Sequence, residues 1–166
     1  KTDLETFMKS RDFCGINVTI PYKEAVIPYL NFISNEAEKI GVVNTVINKN
    51  GKLYGYNTDF YGLKHLIETN GIEICGKTVL ILGSGGTSKT AKAVCESMGA
   101  NDIFIVSRSG GNGAISYDDA HNKNAQVIIN TTPCGFFPKT DEQRISLEGF
   151  KNLEAVVDVI YNPLRT

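Results

Sequence analysis

The stretch that decides the fold is Thr78-Val79-Leu80-Ile81-Leu82-Gly83-Ser84-Gly85-Gly86-Thr87-Ser88. Its first five residues form a nearly continuous apolar run, which is typical of a strand buried on both faces of a parallel sheet. A glycine-rich turn follows, and residues 86–98 then show the pattern of a helix that ends at Gly99. A second apolar strand is predicted at Ile103 to Val106, which completes a β-α-β unit.

Two more buried-type strands are predicted downstream, at Ala125 to Ile129 and at Ala155 to Ile160. Parallel strands joined by right-handed crossovers build an open, doubly wound sheet of the Rossmann type. Residues 71–166 are therefore predicted to form an α/β domain of this class. The glycine-flanked segment Gly71 to Gly76 is the expected domain boundary.

The residues before this boundary show a different pattern, with shorter strands and more turns. Asn50-Gly51 is a strong hairpin signal, so the strands on its two sides are expected to pair antiparallel. Residues 1–70 are interpreted as part of a smaller α/β domain. Its predicted elements are a helix from Thr2 to Ser10, a strand from Cys14 to Ile20, a helix from Tyr22 to Asn31 behind Pro21, a helix capped by Ser34 through Ile40, strands at Val42 to Asn48 and Leu53 to Tyr56, and a helix capped by Thr58 or Asp59 to Asn70.

Composition and charge narrow the range of functions. Seventeen basic and eighteen acidic side chains give a net charge of -1, which argues against a broad surface for nucleic acid or an anionic membrane. No apolar run approaches the roughly 20 residues that a membrane span needs. The four cysteines form no C-x-x-C pair, and only two histidines could join them in a zinc site, so no metal is expected. Scattered thiols and the lack of a signal segment are typical of a cytoplasmic protein.

The glycine-rich turn is a candidate phosphate site. A strand that leads directly into Gly83-Ser84-Gly85-Gly86-Thr87-Ser88 and then a helix presents bare backbone N–H groups at the positive end of the helix dipole. A dinucleotide pyrophosphate can approach such a turn closely. Ser88 replaces the third glycine of the usual fingerprint, and a tight turn without a ligand is the alternative.

The end of the next strand bears on which dinucleotide would bind. No acidic residue stands where NAD-binding domains place one for the ribose 2′-hydroxyl. Ser107-Arg108-Ser109 stands there instead, and a guanidinium between two hydroxyls suits the 2′-phosphate of NADP. The alternative is that Arg108 is an ordinary solvated loop residue.

Two polar motifs upstream are ambiguous on their own. Lys23 follows a polar strand end, where side chains often face a cleft, but isolated lysines are usually surface residues. Asn57, Thr58 and Asp59 are all good caps for the helix that follows, and without further information capping is the favoured interpretation.

Taken together, these motifs resemble the shikimate dehydrogenase family. The resemblance extends over essentially the whole chain and rests on motifs in register: Gly15-x-Asn17-Val18-Thr19-x-Pro21-Tyr22-Lys23, Gly41-Val42-Val43-Asn44-Thr45, Asn57-Thr58-Asp59-x-x-Gly62, Gly83-Ser84-Gly85-Gly86, Ser107-Arg108-Ser109, Asn130-Thr131-Thr132-Pro133-x-Gly135 and Asp158-x-x-Tyr161-Asn162-Pro163.

The resemblance implies NADP-dependent, reversible reduction of 3-dehydroshikimate to shikimate by hydride transfer. It implies that Lys23 and Asp59 are the catalytic pair. The implied substrate contacts are Thr19, Asn44, Thr58 and Tyr161, and the implied cofactor contacts are Gly83, Ser84, Gly85, Gly86, Thr87, Ser88, Ser107, Arg108, Ser109, Thr131 and Thr132.

Some features depart from the family pattern. The family's N-terminal strand and C-terminal helices are missing, so we expect a fragment cut at both ends. The NADP loop usually offers asparagine, arginine and threonine followed by a second arginine, whereas this chain has Ser107, Arg108 and Ser109 and then Asn112. The alternatives are a quinate/shikimate dehydrogenase that uses NAD and a nucleotide-binding module or truncated form without activity. The sequence does not determine the oligomeric state.

Overall fold

The structure is a computed structural model that describes residues 2–111 and 113–163. The chain divides into two compact units, Lys1–Leu63 and Lys64–Thr166. This division falls inside a helix, whereas the sequence places the domain boundary after residue 70. Within the described residues, no helix is both long and apolar enough to cross a lipid bilayer.

The first unit contains a four-stranded mixed sheet in the order β1-β3-β4-β2. Strands β1 and β4 run antiparallel to β3, and β2 runs parallel to β4. Asn50 and Gly51 have φ angles of 52° and 77°, as the predicted tight hairpin between β3 and β4 requires. The elements are α1 (Thr2–Ser10), β1 (Gly15–Asn17), β2 (Phe32–Ile33), α2 (Asn35–Ile40), β3 (Thr45–Lys49), β4 (Lys52–Tyr56) and α3 (Thr58–Thr69).

The helix predicted from Tyr22 to Asn31 is wrong. These residues form successive turns that include only a short 3₁₀ segment, Ile27–Tyr29. Pro28 explains the difference, because proline has no N–H to donate to the preceding turn and its ring clashes with the backbone there. Val26 is nevertheless buried, so the turns still cover the core of this unit.

The strand predicted from Val42 begins only at Thr45. The two preceding peptide groups bond elsewhere: Val43 N–H donates to Lys23 O at 2.9 Å and Asn44 N–H donates to Tyr56 O at 3.0 Å. The first bond ties the segment that follows Gly41 to the segment that carries Lys23, and the second ties it to the end of β4.

The second unit contains a parallel sheet in the order β6-β5-β7-β8. Strand β5 lies between β6 and β7, with Val79 opposite both Ile103 and Val127. Helix α4 packs against β5 and β6. The elements are β5 (Thr78–Leu82), α4 (Gly86–Ser97), β6 (Asp102–Val106), α5 (Tyr117–Ala120), β7 (Val127–Asn130) and β8 (Ala155–Asp158). The predicted parallel sheet of this half is confirmed.

Each unit has its own hydrophobic core. In the first unit Met8, Val46 and Leu53 are fully buried between the sheet and the N-terminal helix and turns. In the second unit Leu80 and Ile128 pack with Phe150 on one face of the parallel sheet. Burial on this scale stabilises each unit by about 1.5–3 kcal/mol for every large aliphatic side chain.

Candidate functional site

In the first unit, Lys23 and Asp59 form an ion pair, with Nζ and Oδ2 2.8 Å apart. The lysine side chain is 14% exposed and the aspartate side chain is 43% exposed. A pair that is only partly covered can still reach a ligand while it holds its own geometry. The two residues are 36 positions apart along the chain, so only the fold brings them together.

Short backbone contacts position Lys23. Tyr22 N–H donates to Thr19 O at 2.8 Å, which closes a turn at the end of the β1 segment, and Lys23 O accepts the bond from Val43 N–H. The Thr19 side chain is exposed beside this turn.

The start of α3 positions Asp59. Asn57 Oδ1 accepts a hydrogen bond from Phe60 N–H at 3.1 Å, so Asn57 is the cap of α3, and the prediction of Thr58 or Asp59 as the cap is wrong. Asn57 Nδ2 also donates to Val42 O at 3.2 Å, which explains why this amide is buried. With capping assigned to Asn57, the side chains of Thr58 and Asp59 are available for other contacts. An aspartate in the first turn also interacts favourably with the helix dipole.

Asn44 makes a second set of polar contacts, with Thr45 and with Thr58, the residue before Asp59. Its Oδ1 accepts hydrogen bonds from Thr58 N–H at 2.9 Å and from Thr45 Oγ1 at 3.0 Å, and its Nδ2 donates to Thr58 Oγ1 at 3.0 Å. Asn44 is only 8% exposed, so these bonds fix its amide in one orientation. We call Lys23, Asn44, Thr58 and Asp59 the polar cluster. It contains donors and acceptors of the kind that a polyhydroxylated ligand needs.

In the second unit, the candidate phosphate site is the glycine-rich turn from Gly83 to Ser88, called the phosphate turn below, and it lies close to the segment after β7. Gly83 has a φ of 110°, and a Cβ at this position would lie 2.9 Å from Thr131 Oγ1. Only glycine allows the turn to approach the segment after β7 so closely. Gly85 is the N-cap of α4 and makes no side-chain capping bond, so the first N–H groups of the helix face the turn without a side-chain acceptor from the cap.

Thr131 and Thr132 are engaged within the protein. Thr131 Oγ1 donates to Leu82 O at 2.6 Å, and Thr132 Oγ1 donates to Asn130 Oδ1 at 2.7 Å. The amide of Asn130 in turn donates to Asp158 Oδ1 at 3.1 Å. These bonds hold the segment after β7 against Gly83, so both threonines shape the edge of the turn.

A cavity of about 340 Å³ lies between the start of α4 and the end of β6. Ser107 and Ser109, two of the implied cofactor contacts, line it, whereas Arg108 is exposed and does not line it. Asn112 lies outside the described residues. Two cations that the sequence interpretation missed, Lys89 and Lys92, also line the cavity. Their spacing of three residues on a predicted helix was the available signal.

Tyr161 also lies in the second unit. Its side chain is 81% exposed and its ring packs edge-on against Phe136, with centroids 5.7 Å apart. The other three implied substrate contacts are in the first unit. Within the described residues, no group of three His, Cys, Asp or Glu side chains could hold a metal ion.

Comparison with known proteins finds similarity to shikimate dehydrogenases. The family model of the shikimate dehydrogenase substrate binding domain matches residues 1–46. The shikimate dehydrogenase (NADP(+)) of Clostridium beijerinckii is 40% identical over 161 residues, which cover 92% of this chain and 60% of that protein. The chain is a relative of the shikimate dehydrogenases.

Solved structures of shikimate dehydrogenases show the same fold. The crystal structure of shikimate dehydrogenase 1 from Peptoclostridium difficile matches with a TM-score of 0.88 and 35% identity, over 99% of this chain and 64% of that chain. The enzyme from Thermus thermophilus, in complex with NADP(H) and shikimate, matches with a TM-score of 0.83 and 30% identity, over 96% of this chain and 64% of that chain. The predicted fold class and the predicted resemblance are therefore confirmed. The chain spans about 60% of the length of the curated shikimate dehydrogenases that it matches.

Proposed function

We propose that this chain provides the catalytic pair and the cofactor site of an NADP-dependent shikimate dehydrogenase, which interconverts 3-dehydroshikimate and shikimate. The observation that carries the proposal is the 2.8 Å ion pair between Lys23 and Asp59, the residue after Thr58, whose N–H donates to the amide oxygen of Asn44. An isolated surface lysine would have no carboxylate partner held at this distance by the fold. The relatives named shikimate dehydrogenase (NADP(+)) support the same reaction.

The residues of the second unit fit NADP. The turn from Gly83 to Ser88 offers backbone donors for the pyrophosphate, and Ser107, Arg108 and Ser109 lie where the 2′-phosphate is expected. Thr131 and Thr132 form the edge of the turn beside Gly83. When bound, NADP supplies or accepts the hydride.

In the proposed reaction, the polar cluster binds the oxygen atoms of the substrate and exchanges a proton with one of them. In reduction, the carbonyl oxygen gains negative charge, and the ammonium of Lys23 stabilises that charge and donates the proton from Nζ. In oxidation, Lys23 accepts the hydroxyl proton. Asp59 holds the ammonium in place and accepts a hydrogen bond from a substrate hydroxyl.

The remaining implied contacts fit binding rather than proton transfer. Thr58 Oγ1 and the Asn44 amide can exchange hydrogen bonds with further hydroxyls, and the exposed hydroxyl of Thr19 lies next to the turn before Lys23. We assign the exposed Tyr161 phenol to the substrate as well. Neutral hydroxyl and amide donors suit a ligand with several hydroxyl groups.

The test measures turnover and binding together. Initial rates are compared for shikimate and quinate with NADP⁺ and NAD⁺, alongside equilibrium binding of each cofactor. Fastest turnover with shikimate and NADP⁺ supports the proposal. A preference for NAD⁺ with activity on quinate supports the quinate/shikimate dehydrogenase alternative, and NADP⁺ binding without turnover supports a nucleotide-binding module or an inactive truncated form.

The ligands are small molecules, and we propose no nucleic acid or membrane partner because the net charge is only -1. Cysteines 14, 75, 95 and 134 are all free thiols, which is consistent with a reducing compartment such as the cytoplasm.

A further inference from the structure

The cavity beside α4 and β6 has a composition that the sequence interpretation did not anticipate. One side presents the hydroxyls that follow β6, from Ser107 and Ser109, and the other side presents α4. From α4 come Ser88 and two cations, Lys89 and Lys92, and no acidic side chain is among the described residues that line the cavity. An anionic ligand would therefore meet two ammonium groups and several hydroxyls.

Helix geometry explains why both lysines reach the same space. Residues three or four apart on a helix are neighbours, so Ser88, Lys89 and Lys92 share one side of α4. That helix packs against β5 and β6, and its first turn begins directly after the phosphate turn. A ligand that extends from the turn towards the end of β6 passes this side of α4.

The existing contact of Lys92 does not prevent it from binding an anion. Its Nζ lies 3.7 Å from Glu96 Oε1 in an exposed i,i+4 pair, and both side chains are about half exposed. Such pairs are weak, so a dianion in the cavity can draw the flexible ammonium away from the glutamate.

Arg108, the cation expected from the sequence, is placed differently. It is exposed and does not line the cavity, although both of its neighbouring serines do. A phosphate monoester inside the cavity would carry a charge of about -1.5 to -2 at neutral pH and needs more than hydroxyl groups to balance it.

We propose that Lys89 and Lys92 determine the preference for NADP over NAD by binding the 2′-phosphate from the α4 side, opposite Ser107 and Ser109. This inference rests on the proposed dinucleotide site and adds to it two residues that set cofactor specificity. The ammonium groups of Lys89 and Lys92 on α4 then supply the positive charge that the sequence analysis expects from Arg108 in the loop after β6.

The test compares two nucleotide probes, one that carries a 2′-phosphate and one that lacks it. Dissociation constants of 2′,5′-ADP and 5′-AMP are measured by calorimetry for the chain and for Lys89→Gln and Lys92→Gln. Each substitution is expected to raise the dissociation constant of 2′,5′-ADP about tenfold, because a hydrogen bond to a charged group is lost. Binding of 5′-AMP, which lacks the 2′-phosphate, should be unchanged.

Lys64→Gln is a matched control. Lys64 also forms a loose i,i+4 pair on a helix, with Nζ 3.9 Å from Glu68 Oε1, but it does not line the cavity. The control should leave both dissociation constants unchanged, and Arg108→Gln shows the contribution of the loop for comparison.

Three results would overturn the inference. Lysine variants that kept the full preference for 2′,5′-ADP would remove both lysines from 2′-phosphate recognition. An equal loss for 5′-AMP would place them at the other phosphate instead. If the unsubstituted chain bound neither probe, the proposed dinucleotide site itself would fail, and this inference would fail with it.

Discussion

At the scale of single residues, the Lys23–Asp59 pair should matter for chemistry more than for stability. Its partly exposed geometry predicts a stabilisation of only about 0.2–1 kcal/mol, because water screens exposed ion pairs. Proton transfer and charge stabilisation, by contrast, depend on the ammonium itself. Mutation should separate the two effects.

Lys23→Ala should lower kcat by about 10²-fold or more, since the positioned proton carrier is lost. The Kd for NADP⁺ should stay nearly unchanged. Lys77→Ala is the matched control, because Lys77 forms a comparable pair with Glu154 at 2.7 Å and similar exposure. Steady-state kinetics and thermal melts of both variants check this, and a normal kcat in Lys23→Ala would remove this lysine from the mechanism.

The cysteines provide a second residue-scale prediction. Burial raises the pKa of Cys95 to about 12 from an ordinary value of 9.0, with a smaller contribution from the nearby Glu96 carboxylate. The thiolate is the reactive form, so folded Cys95 should resist iodoacetamide at about pH 8, while the exposed Cys14 and Cys75 react. Mass spectrometry of the alkylated chain measures this, and rapid labelling of Cys95 would contradict its burial.

The raised pKa of Cys95 also predicts how the free energy of unfolding changes with pH. The Cys95 thiol keeps its proton to a higher pH in the folded state than in the unfolded state. Its contribution to the free energy of unfolding is therefore complete below pH 9.0 and is lost as pH rises towards about 12. Cys95→Ala should therefore lose less stability than the unsubstituted chain between these pH values. Denaturant titrations at about pH 8 and about pH 10.5 compare the two, and parallel pH dependence would refute the shift.

At the scale of elements, the sequence predicts regular strands and helices better than irregular segments. Strand β5 is predicted residue for residue, and α4 to within one residue at its end, because apolar runs and a terminal glycine encode them locally. The prediction fails from Tyr22 to Asn31 because Pro21 suits the start of a helix, whereas Pro28 prevents a regular helix from continuing through the segment. Lys23 therefore lies in a turn tied to Val43 by a long-range bond that no local pattern reveals.

The polar cluster shows that a functional site, like an irregular segment, is only partly predictable from local sequence patterns. Its members are visible in the sequence as motifs, but the residues alone favour capping for Asn57, Thr58 and Asp59 alike. Only the fold shows that Asn57 takes the capping role and that Asp59 meets Lys23. The cations Lys89 and Lys92 were missed because their relevance depends on which side of α4 faces β6.

The phosphate turn gives a prediction about an element junction. Gly83→Ala should destabilise the chain more than Gly76→Ala, because both residues have positive φ but only a Cβ at position 83 would meet Thr131 Oγ1, at 2.9 Å. The positive φ alone costs roughly 1 kcal/mol. Denaturant titrations measure both variants, and equal losses would show that the close contact carries no cost.

A double-mutant cycle isolates that contact. Thr131→Ala removes the hydroxyl that the new Cβ would meet, so the combined variant should lose less stability than the sum of the two single variants. Strict additivity would mean that the turn relaxes away from the segment after β7.

At the scale of the whole molecule, the chain consists of two units with different proposed tasks. The polar cluster lies entirely in Lys1–Leu63, and the phosphate turn with its cavity lies entirely in Lys64–Thr166. The sequence predicts a boundary after residue 70 from its change of pattern, since mixed short strands give way to parallel buried ones, whereas the separate tasks are implied by the family resemblance. The effect of cofactor binding should therefore be separable from the effect of the catalytic pair.

Hydrogen exchange can test this separation. Saturating NADP⁺ should slow exchange most in peptides that cover Gly83 to Ser88 and the end of β6, because ligand contacts suppress local opening there. At about 100 times Kd, binding should stabilise the folded state by about 2.7 kcal/mol. Lys23→Ala should keep this protection pattern and this gain, since its charge belongs to the other unit, whereas Gly83→Ala should lose both. Protection that appeared mainly in residues 4–63 would contradict the placement of the cofactor site in the second unit.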